Sequence, residues 1–352
     1  IIKNNITNYY STIMALLFKR IKSTGGEVLL GITALITVVY CINFMYFGNC
    51  WAINGTDCTV LIPNGVSDVT NVGFGQGGPE QSFNGILMFG IFISTMIILN
   101  EGAKGMWKIM IPVLIGLATS AIVINVFWND ASDSSTVPRI ISPIITILYG
   151  LAYWQFMGED EVNSGIEDFK MGIGVKDPIA LGGLSIVILT GFFYVFRQLV
   201  TPETVIDSIN PGDAALGLLA PSKVTVAFTG ALLLPYVLWA LLVFTQGARG
   251  MWAVAHPALF AFLTVTIANY FGFVYGPLRD FTESNQMDAI SGPATMMIFL
   301  LVYIKLRDEG IEDGMTFGGK PMDANGFNTF FVMLSIAIAA SFLAVQLLGL
   351  TI

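Results

Sequence analysis

The chain repeats one short motif at a spacing that only an internal duplication explains. Glu101-Gly-Ala-Lys-Gly-Met-Trp107 and Gln246-Gly-Ala-Arg-Gly-Met-Trp252 lie 145 residues apart, and each reaches a proline, Pro112 or Pro257, at the same offset. Gly102/Gly247, Ala103/Ala248, Gly105/Gly250, Met106/Met251, Trp107/Trp252 and Pro112/Pro257 are identical, and Lys104/Arg249 keeps its positive charge. Each copy stands between two long apolar stretches, so the motif turns the chain between consecutive helices of a duplicated architecture. Fainter echoes agree: Gly85 pairs with Gly230 at the same offset, and Ile141-Ser142-Pro143 resembles Ile290-Ser291-Gly292 after a slip of four residues.

The apolar stretches require a lipid solvent. Hydrophobic residues make up 55% of the chain, charged ones only 11%, and the mean hydropathy is +0.74; soluble domains carry about 25% charged residues. A spanning helix needs about 20 mainly apolar residues. Nine stretches qualify, at 27–48, 82–100, 107–127, 139–157, 178–199, 223–245, 252–275, 289–306 and 326–350. The fold class expected is therefore an all-α integral membrane protein of nine spans, as two parallel four-helix repeats plus a C-terminal helix. Pro143 and Gly292-Pro293 are expected in the first turns of spans four and eight, where a missing N–H costs nothing.

Basic residues orient this map. Lys3, Lys19, Arg20, Lys22, Lys104, Lys108, Lys170, Lys176, Arg249, Lys305, Arg307 and Lys320 fall on the side of the N-terminus, and only Arg139, Arg197, Lys223 and Arg279 fall on the other. The positive-inside rule places the N-terminus on the cytosolic, stromal or matrix side and the C-terminus across the membrane. The expected organisation is an N-terminal interfacial segment 1–26, with an apolar helix over 8–18 lying on the surface. A first repeat 27–157, an acidic linker 158–177, a second repeat 178–306, and a loop with the ninth helix over 307–352 follow. A net charge of -8 excludes nucleic acid as a partner, because phosphate binding needs clustered Lys and Arg. Membrane lipids and other membrane-protein subunits are the partners expected.

Few residues offer chemistry. At the two corners the glycines permit a tight reversal, Lys104 or Arg249 reaches the phosphate layer, and Trp107 or Trp252 is expected to anchor at the interface. With Glu101 and Gln246 these form either plain hairpin corners or a pseudo-symmetric surface that recognises a partner or headgroup. His256, the only histidine, replaces Ile111 of the first copy. It reads either as a histidine hydrogen-bonded near the interface or as a functional group, an axial ligand to a pigment or metal or a proton-switchable side chain. Haem held by two histidines is excluded, and no Cys/His cluster has metal spacing.

Cys50 and Cys58 are expected to form a disulfide in the loop on the far side, beside the glycosylation-type string Asn54-Gly-Thr56, while Cys41 reads as a small buried side chain. Asp130 and Asp133 read as a solvated turn, because Ca²⁺ needs six or more oxygens. Gly73-Phe-Gly-Gln-Gly-Gly78 lacks the strand and helix of a nucleotide fingerprint. The span centres hold Ser94, Thr95, Ser185, Thr190, Thr264 and Thr266 but no Asp, Glu, Lys or Arg.

Ion-coupled transporters and membrane hydrolases keep an ionisable group at such depths. The function expected is thus a non-catalytic multi-pass subunit, a scaffold or accessory component of a larger membrane complex that holds lipid or pigment. The alternative is a facilitative transporter or channel for a small, weakly charged solute, with its path between the two repeats.

Overall fold

The computed structural model describes residues 20–47, 78–128, 137–207, 222–275 and 286–348. The helix expected over 8–18, the Cys50/Cys58 pair, Asn54, most of the Gly73–Gly78 string, and Asp130 with Asp133 lie outside the described residues. The elements are α1 (Thr24–Ile42) running into a π-helical turn (Asn43–Phe47), α2 (Gly78–Glu101), α3 (Trp107–Val126), α4 (Val137–Glu159), α5 (Pro178–Val200), α6 (Lys223–Gln246), α7 (Trp252–Tyr275), α8 (Gln286–Asp308), a hairpin of β1 (Thr316–Phe317) and β2 (Lys320–Pro321), and α9 (Ala324–Leu348). Among the described residues seven of these helices are long and apolar enough to cross a membrane: α1 to α6, and α9 over Ala324–Ser341. The apolar part described for α7, Trp252–Ala268, is shorter.

Local chemistry sets the helix starts. Ser23 caps α1, its Oγ accepting from Gly26 N at 3.2 Å, so the helix begins three residues before the apolar stretch does. Asp177 caps α5 by accepting from Ile179 N and Ala180 N, with Pro178 in the first position, and Ser222 caps α6 through Thr225 N. One expectation fails in α4. The helix begins at Val137, which puts Pro143 in its interior rather than its first turn, and the Arg139 carbonyl loses its helical donor. Asn125 of α3 makes up part of the loss, donating from Nδ2 to Arg139 O at 3.4 Å. The backbone of α8 likewise begins at Gln286, so Pro293 falls inside it and not in its first turn.

Packing follows a recurring scheme. α1 packs on α2 and α4, and α3 on α4; in the second half α5 packs on α6 and α8, and α7 on α8. The halves meet where α3 crosses α6 and α2 crosses both α6 and α7, and α9 leans on α7. Glycines set the close approaches. Gly85 of α2 faces Met45, and Gly230 of α6 faces Leu199 at the end of α5. At the seam, Gly116 receives Pro235, and Gly90 receives Ala261 together with the Tyr236 hydroxyl and the Pro257 carbonyl; a Cβ at either glycine would overlap these atoms. Tyr236 also donates across the seam to the Leu87 carbonyl.

Burial separates inner from outer helices. In α2 and α6, 72% of the spanning window is buried, against 28% in α5, 22% in α4 and 11% in α9. The outer faces are apolar, with Ile144, Ile147 and Trp154 on α4 and Leu189, Phe193 and Phe196 on α5 exposed. Lipid is the solvent that such faces require. The hydroxyls of the inner spans are turned on their own helices: Ser94 and Thr95 donate to Ile91 O, Thr264 to Phe260 O and Ser120 to Gly116 O.

Candidate functional site

The two motif copies fold into the same turn. Gly102 and Gly247 adopt φ of 93° and 84°, and Gly105 and Gly250 adopt 70° and 69°, left-handed conformations that glycine takes without strain. Met106 N bonds Ala103 O at 3.0 Å, as Met251 N bonds Ala248 O at 2.9 Å. Each corner is closed by the segment that follows α4 or α8. Gly105 N donates to Glu161 O at 3.1 Å and Gly250 N to Gly310 O at 2.9 Å, and both acceptor residues are themselves left-handed, with φ of 53° and 83°. These segments match at an offset of 149 residues, the four-residue slip already legible at Ile141 and Ile290.

The corner cations pair with the same segments. Lys104 Nζ lies 2.7 Å from Glu161, and Arg249 Nε 2.9 Å from Asp313. The Lys104 ammonium, by hydrogen bond and by charge, holds the Glu161 carboxyl below its ordinary value. Both pairs are exposed to solvent, where such contacts contribute little to stability. Inside the corners Asp160 accepts from the Lys22 and Ser23 amides, and Glu309 accepts from the Lys176 and Asp177 amides. One carboxylate therefore holds the N-cap residue of α1 and another that of α5.

Trp107 and Trp252 are both buried within the chain, at 4% and 7% exposure. The segment that closes the first corner covers Trp107, whose N bonds Val162 O at 3.1 Å and whose ring meets Phe169 edge-on, while Trp252 packs beside His256 of its own helix. The acidic linker is consequently a packed element. Val162 is fully buried, Gly174 N donates to Phe244 O at 2.9 Å, and Gln246 Nε2 donates to Lys170 O at 2.9 Å.

Glu101, the counterpart of Gln246, has become a clasp. Its side chain is only 5% exposed and accepts from Arg20 Nη1 at 3.3 Å, Gly318 N at 2.8 Å, Asn100 Nδ2 at 2.6 Å and the Thr316 hydroxyl. It ties the β1–β2 hairpin, and so the entry to α9, onto the end of α2.

The second corner leads into a buried polar network centred on a histidine. His256 is 2% exposed; its Nδ1 lies 2.8 Å from Trp252 O and its Nε2 lies 2.9 Å from Asn328 Oδ1 and 3.0 Å from the Tyr303 hydroxyl. Tyr303 donates to Glu312 Oε1 at 2.6 Å, Asn328 Nδ2 donates to the same oxygen at 2.8 Å, and Arg307 Nε donates to Oε2 at 3.0 Å. Arg307 also reaches Asn325 Oδ1 at 2.8 Å. Phe327 and Phe331 of α9 close over the imidazole. Partial burial alone would raise the Glu312 carboxyl, but the hydrogen bonds from Tyr303 and Asn328 and the Arg307 charge outweigh it and hold the group below its ordinary value.

With both ring nitrogens engaged, an axial bond from His256 to a pigment or metal would have to displace Trp252 O or the Asn328 and Tyr303 pair. Among the described residues no group of three or more His, Cys, Asp or Glu side chains could hold a metal ion. The other candidate is a cavity of about 50 Å³ between the first-half helices and α6, lined by Thr37, Tyr40, Met88, Ser120, Ser142 and Phe228 among others, and almost wholly apolar.

The chain matches no protein-family model, no curated protein and no solved structure. Its functional reading therefore rests on its own geometry.

Tyr303, Glu312 and Asn328 were not singled out in the sequence, and neither were Thr316 and Gly318. Each comes from a different element than its partner, and none stands in a motif. The one available signal was the acidic string Glu309-Gly-Ile-Glu-Asp313 beside the second corner, which repeats the character of Glu159-Asp-Glu161 beside the first.

Proposed function

We propose that this chain is a non-catalytic multi-pass membrane subunit, a scaffold or accessory component that holds lipids and partner subunits on its outer faces. It is built of two parallel four-helix repeats, α1–α4 and α5–α8, with α9 as a ninth span. The matched corners, the matched closing segments and the recurring helix contacts support this arrangement. The corners, the linker and the β1–β2 hairpin contact one another at one end of the helices, together with Arg20, Lys104, Lys176, Arg249 and Lys320. By the positive-inside rule that end is cytosolic, stromal or matrix, and the C-terminus lies across the membrane.

One observation carries the functional reading. A solute path between the repeats would run along the seam, and the seam crossings are at contact distance, Gly116 on Pro235 and Gly90 on Tyr236. The inner hydroxyls donate to their own helices, which leaves little polar lining for a path. The reading assigns the chain no reaction, and lipid or a pigment is the ligand class it leaves open, with the apolar cavity beside α1 and α4 as a lipid-facing niche.

Gentle solubilisation from the native membrane, followed by particle sizing and lipid analysis, tests it. A particle well above the 38.1 kDa of one chain, with retained lipid, is the expected result. A lone, lipid-free monomer sinks the proposal.

A facilitative carrier remains the second reading, favoured by Pro112, Pro235 and Pro257 inside α3, α6 and α7, where a broken helix can build a site. Solute uptake by vesicles reconstituted with the chain alone would move the assignment to it.

A further inference from the structure

We propose that His256 is a proton-binding site whose occupancy fixes α9 against the rest of the molecule. The argument is one of donors and acceptors. Trp252 O can only accept, so Nδ1 at 2.8 Å from it must carry a hydrogen. On the other side of the ring, the orientation of Asn328 is set by Glu312: a carboxylate only accepts, so the amide nitrogen faces Glu312 Oε1 and the amide oxygen faces Nε2. Nε2 at 2.9 Å from that oxygen must therefore carry a hydrogen too. An imidazole with hydrogens on both nitrogens is the cation. In that state every polar atom of the network has a complementary partner: Nε2–H reaches Asn328 Oδ1 and the Tyr303 oxygen, and Tyr303, Asn328 and Arg307 all donate to Glu312.

A buried cation needs a compensating charge. Glu312 supplies it at one remove, since Tyr303 and Asn328 each touch both the imidazole and the carboxylate. The charges that face the ring are few. Helix α8 brings Tyr303 and, at its end, Lys305, Arg307 and Asp308; the loop behind it brings Glu312 and Asp313. Helix α9 contributes no ionisable side chain over Ala324–Ser341, only Asn325 and Asn328. The neighbouring helices α2, α3 and α6 carry at the same end Glu101, Lys108 and Gln246, of which Glu101 is committed to Arg20 and the β1–β2 hairpin.

Loss of the proton breaks the pattern at one bond. A neutral ring that keeps Nδ1–H turns the Nε2 lone pair on Asn328 Oδ1, acceptor against acceptor. The Tyr303 hydroxyl can relieve this by rotating from Glu312 to Nε2, which leaves Glu312 one donor poorer and Asn328 Oδ1 without its own. Asn328, Phe327 and Phe331 are the contacts of α9 with the His256 side chain. Most of α9 is exposed, so these contacts, with the packing of Phe331, Leu334 and Ile338 on the core and the Arg307–Asn325 bond, are what hold it. Deprotonation thus loosens α9 while the Glu101 clasp still tethers its entry. This inference stands apart from the subunit reading, because it concerns the docking of a helix and holds equally for a carrier.

The chain has one histidine, so labelling histidine with ¹⁵N gives a single, self-assigned pair of ring signals from the full protein in lipid nanodiscs. At the acid end of the titration both nitrogens should resonate as imidazolium, and both should move together as the pH is raised. Hydrogen exchange of the amides over 324–331 should speed up by about tenfold in step with that titration. Glu312→Gln should shift the titration to lower pH, and Tyr303→Phe should leave the imidazolium in place, because Nε2 keeps Asn328. A ring that stays a single neutral tautomer across the range, with the proton on Glu312, overturns the proposal. So does a ring that titrates while exchange over 324–331 stays constant.

Discussion

The corner at 101–107 and the corner at 246–252 share a backbone and differ in what they hold. Both reverse the chain through the same two left-handed glycines, and both are closed by a hydrogen bond from the second glycine. Beyond that the chemistry has diverged. At the first, Glu101 grips a hairpin from the far end of the chain, and the position four residues after Trp107 is Ile111. At the second, Gln246 touches the linker, and the matching position is His256, centre of a network that anchors α9. Geometry that many backbone bonds specify together resists change, while side chains at its margin are free to acquire tasks. Both specialised sites serve the same element: one fastens the entry to α9 and the other its first turns.

Substitutions can break or sharpen this likeness. The largest effect is expected at the seam. Gly90→Leu and Gly116→Leu should each cost about 3 kcal/mol or more by overpacking against Tyr236 and Pro235. Unfolding titrations in mixed detergent should show both variants collapsed to similar extents, and a well-folded Gly116→Leu would refute the close crossing. Next come the corner glycines. Gly102→Ala and Gly247→Ala each force an alanine to positive φ, for about 1–2 kcal/mol. Gly247 should be the costlier, because its Cβ would sit 3.0 Å from the Gly174 carbonyl, against 3.3 Å from that of Arg20 at Gly102.

The effect of pH should be smaller and confined to the second corner. The Glu312 carboxyl is held below its ordinary value of 4.5, so its contribution is present above that value and is lost as the pH falls through the lowered one. Exchange protection over 324–331 should therefore fall in acid, whereas the first corner, measured over 103–109, should hold, since its Lys104–Glu161 pair is exposed. Smallest of all, Lys104→Ala and Arg249→Ala should leave stability unchanged within error, since both ion pairs are exposed. A clear loss in one and not the other would show that the corners are less alike than their backbones.

Much of this was legible in the chain itself. The apolar stretches announce lipid as solvent, and the twin motif announces the corners, down to the glycines that take positive φ. The slip at Ile141 and Ile290 even carried the register of the closing segments. What stayed hidden was side-chain direction. Nothing local distinguishes an exposed tryptophan from a buried one, and Trp107 and Trp252 are both buried. Pro143 looked like a helix start because that is where proline is cheapest, and only the position of Asn125 shows how an interior proline is tolerated. The His256 network escaped notice because its members are brought together by three elements, and each is unremarkable alone. Kinship between α1 and α5 was likewise silent in sequence, although Ser23 and Asp177 cap them and Asp160 and Glu309 hold those caps in matching ways.

The seam has a reciprocity with an evolutionary meaning. Gly90 meets Ala261 and Gly116 meets Pro235, and a shift of 145 residues carries Gly90 to Pro235 and Gly116 to Ala261. Each contact is thus the other with the partners exchanged, which is the rule for a two-fold interface between identical subunits. On the proposed repeat arrangement, a four-helix ancestor with this surface would have dimerised through itself, and joining two copies of its gene would have required only a connector. Once the copies were covalently joined, the two sides no longer had to stay alike. A histidine could then arise on one without being imposed on the other.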